Sequence, residues 1–295
     1  MRCVGVRLWV VLCVVVGLSL PTSATLWAAD PPKPAEATTP PPEPEKRGIL
    51  GDRFSLDAGL KIWVAKWQPA GFVNGINSTR TSDTTPMLGP SVTGTFRLRN
   101  EETFNALSVN FTWLQAGGFN FTPFGYNNGG SGPPIDNTTA LRRDYSIVAA
   151  LSIWRGFGFF AGYYNMQQRF NSTYPGAITG PAHETVYISG PLIGFFGSGT
   201  VAGPLKAYGN LAIGFYDEKS NNNPSNTVQT TAKGVQGYSS EFGLSLDGPS
   251  LKTGAGSIGS ALQVGFRAQV INVNANGLAN NDVTWGPTFQ VIARF

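Results

Sequence analysis

The feature that most constrains this chain is a period of two in its hydrophobicity, which recurs from Phe54 onward in segments of about ten residues. In the segment FSLDAGLKIWV, every second residue from Phe54 to Val64 is apolar, and most of the residues between them are polar or small. A period of two places alternate side chains on opposite faces of an extended strand. The chain is therefore predicted to be an all-β protein whose strands have one apolar and one polar face.

The same alternation continues through the rest of the chain, beginning with the stretches Val92–Arg99 and Leu107–Trp113. It predicts further strands at about residues 143–154, 157–168, 184–196, 204–216, 238–247, 261–271 and 284–295. The connections alternate between long polar segments and short turns, which is typical of a membrane barrel with long loops at one end. We predict an antiparallel transmembrane β-barrel of about ten strands, or about twelve if the second long connection contains a further hairpin.

A soluble barrel would show the same periodicity with its apolar face turned inward. Tryptophans near strand ends favour the membrane barrel, because aromatic side chains form girdles at both membrane interfaces. The residues in question are Trp67, Trp113, Trp154 and Trp285.

The first 52 residues are predicted to lie outside the barrel. Residues 1–29 have the pattern of a secretory signal peptide, with Arg2 and Arg7 before a short apolar core and cleavage after Ala24, Ala28 or Ala29. Both cysteines would be removed with this segment. Residues 30–52 are rich in proline and are predicted to form a disordered periplasmic tail. The barrel is then a single domain spanning residues 53–295.

The last strand carries the sequence TFQVIARF, in which Phe289, Val291, Ala293 and Phe295 share one face. This ending resembles the C-terminal insertion signal of the Gram-negative outer-membrane β-barrel superfamily. The resemblance implies a bacterial outer-membrane location. From this location we expect contacts with membrane lipid, periplasmic chaperones and the barrel-insertion machinery. The resemblance does not identify a subfamily.

Assignment of the polar face to the interior predicts a set of charges inside the barrel with a basic excess. We expect these charges to pair across the interior and to leave the lumen mostly plugged, because isolated charges in a narrow space are costly. The set is Asp57, Lys61, Arg97, Arg99, Asp144, Lys206, Glu241, Asp247, Arg267 and Arg294. The alternative is a porin-like channel in which the basic excess favours small anions.

The leading functional prediction is a non-enzymatic outer-membrane protein that presents its loops to a surface ligand. An alternative hydrolase would depend on His183, but its neighbour Glu184 points to the opposite face of a strand and cannot orient it. We expect no catalytic site, cofactor or metal, because one His and a mature chain without Cys lack the usual zinc and copper ligands. Without Arg2 and Arg7 the net charge falls from +4 to +2, which gives no reason to expect a nucleic-acid partner.

Overall fold

Antiparallel strands make up almost all of the chain that the computed structural model describes. The described residues are 53–69, 81–98, 105–121, 136–154, 156–173, 182–222, 228–253, 256–275 and 278–295. The strands are β1 (Phe54–Gln68), β2 (Thr85–Arg97), β3 (Ala106–Phe121), β4 (Asp136–Trp154), β5 (Phe157–Thr173), β6 (Ala182–Ala202), β7 (Leu205–Asn222), β8 (Val228–Asp247), β9 (Leu251–Thr253), β10 (Gly256–Ala275) and β11 (Leu278–Arg294). Within these ranges, no helix has the length and apolar character needed to cross a bilayer.

The strands form one closed barrel. Each wall strand pairs with its neighbours in sequence, and β11 also pairs with β1 over Asp57↔Arg294 to Gln68↔Val283. The short strand β9 pairs only with the start of β10, so ten strands form the wall. The predicted all-β transmembrane barrel of about ten strands is confirmed. The alternative of twelve is wrong, because β3 and β4 pair directly along their lengths and leave no place for a further wall strand.

The two ends of the barrel differ. We call the end at which β1 begins and β11 ends the terminal end, and the opposite end the loop end. At the terminal end, Phe295 and Leu56 exchange backbone hydrogen bonds of 2.9 and 3.2 Å. The predicted signal peptide of residues 1–29 and the predicted tail of residues 30–52 lie outside the described residues.

The wall strands are longer than the sequence pattern predicts, and the extra residues lie mostly at the loop end. They contain between 13 and 21 residues. The predicted strands 204–216 and 284–295 are in fact Leu205–Asn222 and Leu278–Arg294. Most of the residues in two segments that read as polar loops, 217–236 and 272–282, are thus strand.

The predicted strands are too short because the polarity of their two faces changes partway along the strand. Along β3, the apolar side chains from Leu107 to Trp113 point outward and are exposed. From Leu114 onward the apolar side chains point inward and are buried, while Gln115 is exposed on the outside. The outer surface on the terminal side of this change forms an apolar belt. In β1 it runs from Phe54 to Val64, which matches the about 9–11 residues of a tilted membrane-spanning strand.

Three Gly-Pro pairs interrupt the wall near the level at which the polarity changes. They are Gly89-Pro90 in β2, Gly190-Pro191 in β6 and Gly286-Pro287 in β11. At each pair the ladder to one neighbouring strand is broken, as between Ser189↔Asp217 and Leu192↔Gly214. Proline has no N–H to donate to a ladder, which accounts for the breaks.

Candidate functional site

Arg142 of β4 lies in the interior of the loop-end half with no exposed surface. Its Nε and Nη2 atoms each donate a hydrogen bond of 2.9 Å to the carboxylate of Asp144. Nη2 also donates to Oε1 of Gln269 in β10 at 2.8 Å, and Nη1 donates to the hydroxyl of Thr284 in β11. The guanidinium therefore connects strands on opposite sides of the barrel.

Asp282 of β11 provides a second carboxylate beside Arg142. Its Oδ1 atom is 3.8 Å from Nη1 of Arg142. Its Oδ2 atom accepts hydrogen bonds from Nε1 of Trp67 at 3.0 Å and from Nε2 of Gln168 at 2.7 Å. The rings of Trp67 and Trp63 lie 5.4 and 5.7 Å from the guanidinium carbon, within the range of a cation–π contact.

Apolar side chains fill the interior on both sides of this polar network. Phe170 packs against both groups, and its ring lies 5.4 Å from that of Trp67. One group comprises Trp63, Ala65, Trp67, Met87, Leu114, Ala116, Phe119, Phe121 and Ala140. The other comprises Tyr164, Met166, Val186, Ile188, Leu192, Tyr216, Val235 and Ile271. We refer to the network around Arg142 and the two apolar groups together as the Arg142 core.

The Arg142 core corrects the prediction of a uniformly polar interior. Beyond the apolar belt the outside of the barrel faces water, so the free energy of burial favours apolar side chains on the inside. The interior of the loop-end half therefore resembles the core of a soluble protein.

Lys61 and Glu241 form a second buried group, nearer the middle of the barrel. Nζ of Lys61 lies 2.8 and 2.6 Å from the two carboxylate oxygens of Glu241. The hydroxyl of Thr288 donates to the same carboxylate at 3.3 Å, and the hydroxyl of Tyr208 lies at 3.5 Å. Because Lys61 is on β1 and Glu241 on β8, this ion pair also crosses the interior.

A third group of charges lies at the terminal end. Asp247 is bound by Nη1 of Arg294 at 2.5 Å and by Nζ of Lys206 at 2.7 Å, and Asp57 lies 3.8 Å from Nε of Arg294. These side chains are partly exposed, so each pair contributes little to stability.

The interior between the terminal end and Lys61 is lined by small polar side chains, and we call it the vestibule. Its hydroxyls bond to one another, as in Ser91 with Thr112 at 3.2 Å and Thr95 with Ser108 at 3.0 Å. Thr95 and Ser108 are partly exposed although they face inward. Solvent therefore reaches the vestibule.

The structure places eight of the predicted interior charges inside the barrel. They are Asp57, Lys61, Asp144, Lys206, Glu241, Asp247, Arg267 and Arg294. Arg267 lies with its guanidinium carbon 4.5 Å from the ring of Trp63. Arg97 has the inward register but is exposed at the terminal end of β2, and Arg99 lies outside the described residues.

Arg142, Glu218 and Asp282 are buried interior charges that the sequence reasoning misses. Each falls in a segment that reads as a loop, one or more residues beyond the predicted end of a strand. The signal that would find them is the continued alternation: Asp282 is two residues before Thr284, and Arg142 two before Asp144.

These three residues remove the predicted basic excess once Arg99, which lies outside the described residues, is left out of the set. Among the interior side chains that the structure describes, basic and acidic charges are equal in number. The basic residues are Lys61, Arg97, Arg142, Lys206, Arg267 and Arg294, and the acidic residues are Asp57, Asp144, Glu218, Glu241, Asp247 and Asp282. The expected preference for anions loses its basis among these residues.

The outer surface carries the other predicted features. Phe289 and Val291 of the C-terminal signal are 40% and 62% exposed, and Ala293 and Phe295 are partly exposed on the same face. Trp113 and Trp154 are exposed, and Trp285 partly so, as an aromatic girdle requires. The prediction for Trp67 is wrong, because it has the inward parity of Trp63 and is fully buried.

His183 of β6 pairs through its backbone with Asn171. Its side chain, like that of Glu184, lies outside the described residues.

A closed antiparallel barrel with an apolar outer belt defines the class of protein: the fold is that of an outer-membrane β-barrel. No protein-family model matches the chain, and no curated protein matches it.

Solved structures of the same class are similar to it at low sequence identity. The outer membrane protease OmpT from Escherichia coli aligns over 84% of this chain and 99% of its own, with 10% identity and a TM-score of 0.43. The toluene transporter TbuX of Ralstonia pickettii aligns over 84% and 90%, with 10% identity and a TM-score of 0.35. A Pseudomonas aeruginosa FadL homologue aligns over 84% and 91%, with 8% identity and a TM-score of 0.30. The function of this chain therefore has to be argued from its own residues.

Proposed function

We propose that this protein is a non-enzymatic barrel of the bacterial outer membrane whose lumen is closed by the Arg142 core and whose loop end meets surface ligands. The observation that carries the proposal is the complete burial of Arg142 of β4. Its guanidinium binds Asp144 of the same strand and reaches across the barrel to Gln269 of β10 and Thr284 of β11. A hydrated ion needs a continuous polar path, and the apolar groups on both sides of Arg142 provide none.

The energetics of the Arg142 core support permanent closure rather than gating. To open a path past Arg142, the barrel would have to separate buried charges from their partners. Breaking one buried pair typically costs about 3–5 kcal/mol. The two tryptophan rings beside the guanidinium add packing that would be lost at the same time.

The outer surface supports the location and the role of the loop end. The apolar belt has the length of a membrane span and ends in aromatic residues such as Trp113 and Tyr145. The strands continue beyond it with polar outer faces, so the loop end stands clear of the membrane. We expect delivery to the outer membrane through a signal peptide, periplasmic chaperones and the insertion machinery, with Phe295 in the recognised last strand.

The decisive experiment is conductance of the refolded protein in a planar lipid bilayer. We expect no steady current steps from the wild type. The variant Trp67→Ala/Phe170→Ala removes two rings that pack in the Arg142 core and should introduce steps. Trp113→Ala, which removes an outward ring of β3, serves as the matched control and should stay silent.

Steady steps from the folded wild type would contradict the proposal. If neither the wild type nor the double variant gives current steps, the Arg142 core is not the barrier, and this result would also contradict the proposal.

A further inference from the structure

We infer that the outer face of β4 and β5 binds the phosphate of a membrane lipid headgroup through Arg143 and Arg169. Both side chains are exposed and point away from the interior, since their neighbours Arg142 and Gln168 are buried. The inference goes beyond closure of the lumen but rests on the proposed outer-membrane location.

The strand register brings the two arginines together. Arg143 pairs with Gln167, and Arg169 pairs with Leu141, so the two arginines are diagonal neighbours on one face. Such neighbours are about 7–8 Å apart, which long side chains can bridge. A phosphate held between them would accept charge-assisted hydrogen bonds from two guanidinium groups, and each guanidinium can present two parallel N–H donors to it.

The level of the pair matches that of lipid headgroups. Tyr145 lies two positions from Arg143 toward the belt and pairs with Trp113 of β3. Both aromatic side chains are 43% exposed. Aromatic rings of this kind mark the membrane interface. Arg143 lies two residues farther along the strand, or about 7 Å, which places its guanidinium among the polar headgroups.

The charge around the pair favours an anion. Among the described residues, no acidic side chain forms an ion pair with Arg143 or Arg169. On the outer face of β7, by contrast, Lys219 is accompanied by Asp217. Gln115 and Gln167 flank Arg143 in the same row and offer further amide donors.

The experiment is native mass spectrometry of the full chain in a neutral detergent, with lipid A as the phosphorylated probe. We expect Arg143→Gln/Arg169→Gln to weaken lipid A binding about 25-fold, since each arginine near an anionic surface contributes a factor of about five. The matched control Lys66→Gln/Lys219→Gln removes equal charge from outward positions elsewhere on the barrel and should stay within about two-fold of the wild type.

Two further arms identify the ligand chemistry. Lipid A stripped of both phosphates should bind the wild type as weakly as lipid A binds the arginine variant. Millimolar inorganic phosphate should not displace lipid A, because the acyl chains add contacts along the apolar belt.

Equal binding of lipid A by the wild type and the arginine variant would overturn the inference, as would full displacement by inorganic phosphate or an equal loss in the lysine control. Closure of the lumen is tested separately by conductance, so either result can fail without the other.

Discussion

Arg142 and Arg143 are adjacent in β4, but their side chains point to opposite faces and we expect them to contribute very differently to stability. Arg142 is fully buried and forms ion pairs with Asp144 and Asp282, whereas Arg143 is exposed. We expect Arg142→Ala to lower the free energy of unfolding by about 3–5 kcal/mol, because it leaves two buried carboxylates without a counter-charge. Urea unfolding in a neutral detergent, followed by tryptophan fluorescence, measures the effect.

Arg143→Ala provides the control for this prediction. It removes the same side chain from the next position in the strand and should change stability by no more than about 0.5 kcal/mol. Similar losses in the two variants would contradict the assignment of Arg142 as the charged centre of the interior.

At the residue scale, sequence alternation can predict interior charges only where it is applied along the whole strand. Lys61 and Glu241 follow from parity alone, and the structure places them in one ion pair. Their pairing could not be predicted, because it depends on which strands lie opposite each other in the closed barrel. Arg142 and Asp282 were hidden by the loop-like composition of their segments.

At the scale of the element, glycines of the same strand differ in the space that they leave for a side chain. A methyl group at Gly190 of β6 would collide with the carbonyl oxygen of Phe215 in β7, whereas one at Gly199 would have no atom within 4 Å. We expect Gly190→Ala to cost about 1–3 kcal/mol of stability through overpacking. The same unfolding assay measures it.

Gly199→Ala, in the same strand, should be neutral within about 0.5 kcal/mol. If Gly190→Ala is as well tolerated as Gly199→Ala, the close approach of β6 and β7 at the interrupted ladder is not present in solution.

The existence and order of the ten wall strands could be predicted, but not their lengths. Leu107 to Trp113 follow the pattern of a membrane strand and are recognised as such. From Leu114 the same strand follows the pattern of a soluble barrel, with its apolar side chains inside. A prediction that assumes outward apolar residues throughout therefore ends the strand at this point. The change reflects the environment of the barrel rather than any local signal in β3.

At the scale of the whole molecule, the interior is divided into a solvated vestibule and the buried Arg142 core. Thr95 and Met87 lie on the inward face of the same strand, β2, but Thr95 is partly exposed and Met87 is fully buried. In a background of Cys3→Ser and Cys13→Ser, we expect Thr95→Cys to react with a small maleimide at least about 100-fold faster than Met87→Cys, whose reaction requires local opening.

Mass spectrometry of the labelled protein over time gives both rates. Comparable rates at the two positions would mean that the loop-end half is also filled with water, which would remove the division.

The change of polarity within the strands also marks the level of the membrane interface on the outer surface of the barrel. If the membrane boundary lay two residues nearer the loop end, Arg143 would be in hydrocarbon, at a cost of up to about 2–4 kcal/mol. If the boundary lay two residues nearer the terminal end, the outward apolar side chains at the level of Phe111 would approach water, which costs hydrophobic free energy. The change of polarity in the strands thus fixes the depth of the barrel in the membrane.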